Sequence, residues 1–278
     1  MEVHVMSKDK KEPFSKVSDL QHWLGMSENG IRLYEKEGII TPGRNKENGY
    51  RQLNISDGDK MFQSRIYTGY GFSLRETADM LGTDDFDSQY NSLEKQEDQL
   101  QEEMLLMAYK SQYLNRHLKL LREMKKDFYS VRIVPGPDLA FLPVHDQSQI
   151  KAAGESDCAA WLSQVPFVRS AVLMKMGEEP YQTVWFGPVT EWETAMKCSL
   201  PMENAVRFGS ESLQYVTGFT RHGIDDFPSE KNYGHLTDYA EKQGYICGGT
   251  LLTRHLMLVK GEKDWIHYDQ IWIPVKKE

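Results

Sequence analysis

The chain has 278 residues, enough for two compact domains and a connector, and its net charge of -8 excludes a protein that coats DNA through bulk positive charge. Its cysteines, Cys158, Cys198 and Cys247, form no CxxC pair and read as reduced, mostly buried thiols rather than a disulfide frame. No apolar run approaches the length of a membrane span, and Met1 to Pro13 is polar where a signal peptide is apolar, so a cytoplasmic protein with no membrane partner is expected.

Phe14 to Gly25 predicts a capped first helix with Val17, Leu20 and Leu24 on one stripe and Gly25 as the turn. Ser27 can cap a second helix beginning near Glu28, with Ile31 and Tyr34 on one face and Gly38 as its left-handed stop. Two short helices joined at a glycine form a helix-turn-helix pattern. Ile39-Ile40, the Pro42-Gly43 turn signal and the Asn48-Gly49 dipeptide then predict two short strands with a tight connection. This is the layout of a helix that enters a DNA groove beside a wing that grips phosphate. From Gly30 to Gln52 there are five basic residues (Arg32, Lys36, Arg44, Lys46, Arg51) against three acidic ones (Glu35, Glu37, Glu47). So small a surplus suits a dimer presenting two such surfaces better than a tight monomeric binder. Ser56 is expected to cap a further helix carrying Met61, Phe62, Arg65, Ile66 and Tyr67 and ending at Gly69-Tyr70-Gly71. Ser73-Leu74-Arg75-Glu76 is a capping box opening a fourth helix through Met80-Leu81. Residues 13–84 are thus expected to form a winged helix-turn-helix domain.

From Ser88 to Lys126 there is neither proline nor glycine, and Leu93, Leu100, Met107, Leu114 and Leu121 recur at intervals of seven. Tyr90, Met104 and Leu118 fill part of the companion register, while Glu97 and Ser111 leave it polar. The seam predicts a dimerising coiled-coil helix over 88–127, about 60 Å long at about 1.5 Å per residue. The other reading is an amphipathic helix lying along its own C-terminal domain. Residues 130–278 then read as two similar β-β-α-β-β halves. The first has strands at 131–134, 139–144, 171–176 and 183–189 with a helix at 148–163. The second has strands at 205–208, 213–220, 250–259 and 265–275 with a helix at 229–243. The fold class is multidomain, α and α+β, ending in a pseudo-symmetric α+β domain with a ligand cleft between its halves.

The segment Arg32-Leu33-Tyr34-Glu35, Gly38-Ile39-Ile40 with Pro42 and Arg44, Gly49-Tyr50-Arg51, and Gly71-Phe72-Ser73-Leu74-Arg75-Glu76 together resemble the MerR family of bacterial transcription regulators over residues 13–125. The family usually has paired tyrosines where this chain has Leu33-Tyr34, and an aromatic after Tyr-Arg where it has Gln52 or Leu53. The resemblance implies DNA-binding positions at Lys16, Ser27, Arg32, Tyr34, Arg44, Asn48, Tyr50 and Arg51. Arg32 is expected to reach a base edge or nearby phosphate; Tyr34, Arg44, Tyr50 and Arg51 are expected to contact phosphate, with Tyr34 and Tyr50 equally open to a core role. It further implies a homodimer on promoter DNA, acting on RNA polymerase only indirectly, through distortion of the DNA.

The terminal Ile271-Trp272-Ile273-Pro274-Val275 strand, Leu256-Met257-Leu258 and the Tyr239 to Gly244 helix end resemble the GyrI-like effector domain of MerR-type multidrug regulators. Trp161, Tyr181, Trp185, Phe186, Trp192, Tyr215, Phe219, Trp265, Tyr268 and Trp272 make this half aromatic, which suits a small hydrophobic or cationic aromatic ligand; at least half of these rings are expected to be core. Effector contacts are expected from Phe141, Tyr181, Trp185, Tyr215, Phe219, His255, Gln270 and Trp272. Drug-binding relatives commonly place acidic residues in the last two strands, where this chain has Thr253, Arg254 or His255, and Gln270. No Gly-rich phosphate loop, HExxH, GxSxG or paired metal-ligand spacing occurs, so no enzyme, cofactor or metal is expected. The alternative is a GyrI-like hydrolase or binding protein using Glu191 or Glu211 with His255.

Overall fold

A computed structural model describes residues 22–44, 49, 51–146, 154–176, 184–209, 212–223, 230–262 and 264–278. The chain divides into two compact units, residues 1–106 and 107–278, so the division falls inside the long helix and not at one of its ends.

In the first unit, residues 22–24 are helical; the rest of the expected first helix, with Lys16, lies outside the described residues. Helix α1 spans Glu28–Lys36, and its cap is the expected one, the Gly30 N–H donating to Ser27 Oγ at 3.2 Å. It stops at Gly38, whose φ of +79° turns the chain so that the Ile39 N–H returns to the Tyr34 carbonyl at 3.0 Å. Strand β1 (Gly43–Arg44) pairs antiparallel with β2 (Arg51–Gln52), the expected pair of short strands; Asn48 and Tyr50 lie outside the described residues. Helix α2 (Ile55–Gly69) is capped by Asn54, not Ser56. Asn54 Oδ1 accepts from the Asp57 N–H at 2.8 Å while Asp57 Oδ2 accepts from the Asn54 N–H at 3.0 Å, so a reciprocal box closes earlier than Ser56 could act. Helix α3 (Leu74–Gly82) opens with the expected Ser73–Glu76 box. Ile31, Tyr34, Ile39, Ile40, Leu53 and Met61 form the core beneath the wing.

Helix α4 runs 41 residues, Phe86–Lys126, and none of its residues is fully buried. Within the first unit it is tied down by the Tyr67 hydroxyl donating to Gln89 Oε1 at 3.1 Å, and by Gln96 Nε2 donating to the Tyr70 carbonyl at 2.8 Å. Among the described residues no helix is long and apolar enough to cross a membrane.

The second unit is built on a ten-stranded sheet. Its strands are β3 (Arg132–Pro135), β4 (Leu139–Phe141), β5 (His145–Asp146), β6 (Arg169–Lys175), β7 (Val184–Glu191), β8 (Val206–Phe208), β9 (Gln214–Gly223), β10 (Tyr245–Cys247), β11 (Thr250–Lys260) and β12 (Trp265–Lys277). Helix α5 (Glu155–Leu162) is shorter than the expected 148–163, residues 147–153 being outside the described set; α6 (Trp192–Lys197) and β10 were not anticipated, and α7 spans Glu230–Lys242. The main order is β3-β9-β12-β11-β6-β7-β4-β8. Exchanging the halves (β3 with β8, β4 with β9, β6 with β11, β7 with β12) reproduces this order read backwards. The pseudo-symmetry is therefore real, and its axis falls between β6 and β11, each half lending its first strand to the other.

Alternation along the strands gives the sheet two sides. On one, Met174, Val184, Val216, Leu251, Ile271 and Ile273 pack with Tyr233, Leu236 and Ala240 of α7. On the other, Leu139, Phe141, Leu173, Trp185, Val189, Phe208, Tyr215, Leu252 and Trp272 form an aromatic cluster.

Candidate functional site

Of the residues expected at DNA, Ser27 is the helix cap and Arg32 and Arg44 are exposed. Arg32 already pairs with Glu28 one turn back, Nη2 to Oε1 at 2.6 Å. Arg44 Nη1 donates to the Gly49 carbonyl at 3.4 Å across the wing. Arg51 is half-buried, its Nε 2.9 Å from Glu35 Oε2 without alignment for a hydrogen bond, so α1 and the wing are joined by an ion pair. Tyr34 takes the core position left open to it: it is 7% exposed, packed with Ile31. The outward-facing neighbour is Leu33, 46% exposed. A period of 3.6 allows either residue to point inward, and Gly38 with Ile39 closing back on the Tyr34 carbonyl fixes which one does.

In the second unit, cross-strand register gathers the expected effector residues. Trp272 lies opposite Thr217 and Leu252, Gln270 opposite Phe219 and Arg254, and Leu173 opposite both Leu252 and Trp185. Directly paired residues share a face, so Phe141, Trp185, Tyr215, Phe219, Gln270 and Trp272 all belong to the aromatic side. Tyr181 lies outside the described residues. His255 does not join them: it pairs with Asp269, one position out of phase with Gln270, and stands on the other side of the sheet. For the same reason Glu191 does not meet His255, being on the aromatic side and bound to Arg254 at 3.0 Å; Glu211, the other acid of the alternative, lies outside the described residues.

The aromatic interior carries two buried polar atoms, Trp185 Nε1 and Thr217 Oγ1, with no hydrogen-bond partner among the described residues. At its rim Arg254 joins Glu191, donates to Gln270 Oε1 at 3.0 Å and lies 5.1 Å over the Trp272 ring. This Arg254–Glu191 pair was not anticipated; Glu191 is an acid on β7 and not on the last two strands, so scanning those strands alone could not find it. The second-unit end of α4 packs against the same rim. Arg169 Nε donates to the Tyr113 hydroxyl at 3.2 Å, and Tyr113 meets Phe167 edge-on at 5.6 Å. His117 and Leu120 line, with Arg169, Glu191, Arg254 and Leu256, a cavity of about 30 Å³. The residues used here, Tyr113, His117 and Leu120, are not the heptad seam: Met107 and Leu114 stay 64% and 55% exposed. The helix thus carries separate stripes, one against the sheet and one facing solvent.

No protein-family model matches the chain. CueR, an HTH-type transcriptional regulator of Escherichia coli O157:H7, is 26% identical over 129 residues, covering 46% of this chain and 89% of that protein. A probable heavy metal-dependent transcriptional regulator of Haemophilus influenzae is 35% identical over 69 residues, 25% of this chain and 54% of that protein. The crystal structure of HiNmlR, a MerR family regulator lacking the sensor domain and bound to promoter DNA, aligns at 19% identity with 41% of this chain and 94% of its own, with a TM-score of 0.32.

Burial, followed by the charges of Arg169 and Arg254, lowers the His117 pKa to about 4. In the unfolded chain this ring titrates near its ordinary 6.5, so between these values the unfolded state holds more protons and stability falls as the pH falls. His117→Gln is expected to flatten the loss of thermal stability between pH 6.5 and pH 4.5 relative to the parent. Equal losses in both, followed by circular dichroism melts, would place the sensitive group elsewhere.

Proposed function

We propose that the chain is a DNA-binding transcription regulator of the MerR family, which binds promoter DNA as a dimer and responds to a small aromatic or lipophilic molecule taken into the interior of its second unit. It acts as a regulator, not an enzyme. The observation that carries the ligand reading is the pair of polar atoms, Trp185 Nε1 and Thr217 Oγ1, that have no partner among the described residues and lie beside an otherwise apolar cluster. A buried donor without a partner costs roughly 1–3 kcal/mol, and an interior that keeps one is suited to a ligand that supplies an acceptor. Titrating tryptophan fluorescence with lipophilic cations and with neutral planar dyes is expected to give saturable quenching by at least one class, lost in Trp185→Phe. No response to either class counts against the sensor reading.

The second unit corresponds in this reading to a GyrI-like effector domain, supported by its palindromic strand order. Dimerisation is supported by the apolar seam on α4. Leu100, Met104, Met107 and Leu114 are exposed in the single chain, an arrangement that a second copy of the same helix would cover. Light scattering is expected to show a dimer at micromolar concentration, and Met107→Glu combined with Leu114→Glu to give a monomer of unchanged helicity.

On DNA, α1 is proposed to enter the groove with Arg32 while Arg44 and Arg51 on the wing meet phosphate. Arg32 and Arg51 are already held by Glu28 and Glu35, so phosphate must take the place of a carboxylate. These pairs are exposed or half-exposed and worth about 0.3–0.5 kcal/mol, which a phosphate readily exceeds. Arg51→Ala is expected to weaken binding to all sequences alike and to reduce the slope of log affinity against log salt by about 1. Glu35→Gln should do the opposite, tightening binding by removing both the competitor and a negative charge. Fluorescence anisotropy with the DNA upstream of the chain's own gene measures both; an unchanged salt slope in Arg51→Ala removes that residue from the phosphate contacts. When ligand favours one arrangement of the dimer, the promoter is distorted so that polymerase can align its two elements.

A further inference from the structure

On the side of the sheet away from the aromatic cluster, four side chains from three adjacent strands converge: His222 on β9, His255 on β11, and His267 and Asp269 on β12. His222 Nε2 is 3.0 Å from Asp269 Oδ2, and His255 Nδ1 is 3.0 Å from Asp269 Oδ1. His267 Nδ1 is 3.1 Å from His255 Nδ1. One ligand atom each from His222, His267 and Asp269 lie within 4.8 Å of one another. The Asp269 and His222 side chains are 4% and 6% exposed, while His255 opens to solvent at 23%, leaving a route in.

The protons do not fit a neutral cluster. Both ring nitrogens of His222 face acceptors, Nδ1 the Gly223 carbonyl at 2.9 Å and Nε2 the Asp269 carboxylate. A neutral imidazole has a single N–H, so a cation, either a proton or a metal, must stand between Nε2 and Asp269. His255 Nδ1 in turn faces both a carboxylate oxygen and another ring nitrogen, again more lone pairs than one proton can serve.

We propose that His222, His267 and Asp269 bind one divalent transition-metal ion of the zinc class, with His255 holding the Asp269 carboxylate from outside the ligand set. Tetrahedral zinc with bonds of about 2.0–2.1 Å holds its ligand atoms about 3.3 Å apart, inside the 4.8 Å within which the three ligand atoms lie here. Two imidazoles and one carboxylate select zinc, cobalt, nickel or copper over magnesium or calcium. The Nδ1–H of His222, donating to the Gly223 carbonyl, fixes the tautomer and aims Nε2 at the metal. Binding displaces the protons shared among these groups into solvent. This site is independent of the ligand proposed for the aromatic interior.

The full chain, stripped with chelator and titrated with Co²⁺, is expected to take up one equivalent per chain with the intense visible d–d bands of tetrahedral cobalt, displaced by Zn²⁺. His267→Gln, at a half-buried position that leaves the fold intact, should weaken uptake by about tenfold or more, as should His255→Gln; Asp269→Asn should abolish it. Circular dichroism melts check that each variant is folded. Failure of the parent chain to bind cobalt overturns the proposal and leaves a proton between His222 and Asp269. Uptake that neither His267→Gln nor His255→Gln alters also overturns it, by placing the metal elsewhere.

Discussion

The register in which β12 lies between β9 and β11 is the constraint on which the second unit depends. Side chains alternate along an extended strand, so each residue of β12 belongs to a side fixed by its pairing. Gln270 and Trp272 go to the aromatic interior; His267, Asp269 and Ile271 go to the opposite side, towards α7 and the histidines. A slip by one residue would bury Asp269 among tryptophans and turn Trp272 to the helix side. The irregularity in β11 between His255 and Met257 matters for the same reason. It inserts Leu256 as an extra residue, putting it against the α4 rim, and returns Leu258 to register opposite His267.

The same separation of sides keeps the charges from interfering. Arg254 is compensated by Glu191 and Gln270 on the aromatic side, and Asp269 by His222 and His255 on the other. Each buried ion has its partners within one layer, which the cost of an unpaired buried charge requires. In the first unit the ion pairs are shallower and serve differently: Glu28 and Glu35 hold Arg32 and Arg51 in place without deep burial, so the arginines remain available to a stronger anion.

Features decided within a few residues were legible in the sequence. The Ser73–Glu76 box, the Ser27 cap and the Gly38 stop each rest on bonds spanning three to five positions, and all three occur. Strand positions in the second unit were readable because alternating and β-branched runs are bounded by turn residues. What failed was what local pattern leaves degenerate. Asn54 and Ser56 are both competent caps, and only the reciprocal bond from Asp57 separates them. Leu33 and Tyr34 are neighbours on one helix, and packing against Ile39 and Leu53 chose Tyr34 for the core. His255 was grouped with the aromatic residues because strand sequence alone does not reveal cross-strand phase. The histidine–aspartate cluster was invisible for the same reason: its members come from three strands, His222 and Asp269 being 47 residues apart.

Helix α4 is the element in which the proposed sensing and dimerisation meet, and its stripes set what a ligand must do. Tyr113, His117 and Leu120 pack on the Arg169–Glu191–Arg254 rim, while Met107 and Leu114 on the same rigid helix face outward. A ligand shifts a two-state equilibrium only by its differential affinity for the two states. Filling the interior with apolar surface alone, equally in both, would change nothing at the seam. A ligand that accepts from Trp185 Nε1 or Thr217 Oγ1 relieves about 1–3 kcal/mol only in the arrangement that presents those atoms, enough for a several-fold to hundredfold shift. In the proposed reading, the atoms without partners among the described residues would let such a ligand act through the rim and the helix, where occupancy by itself could not.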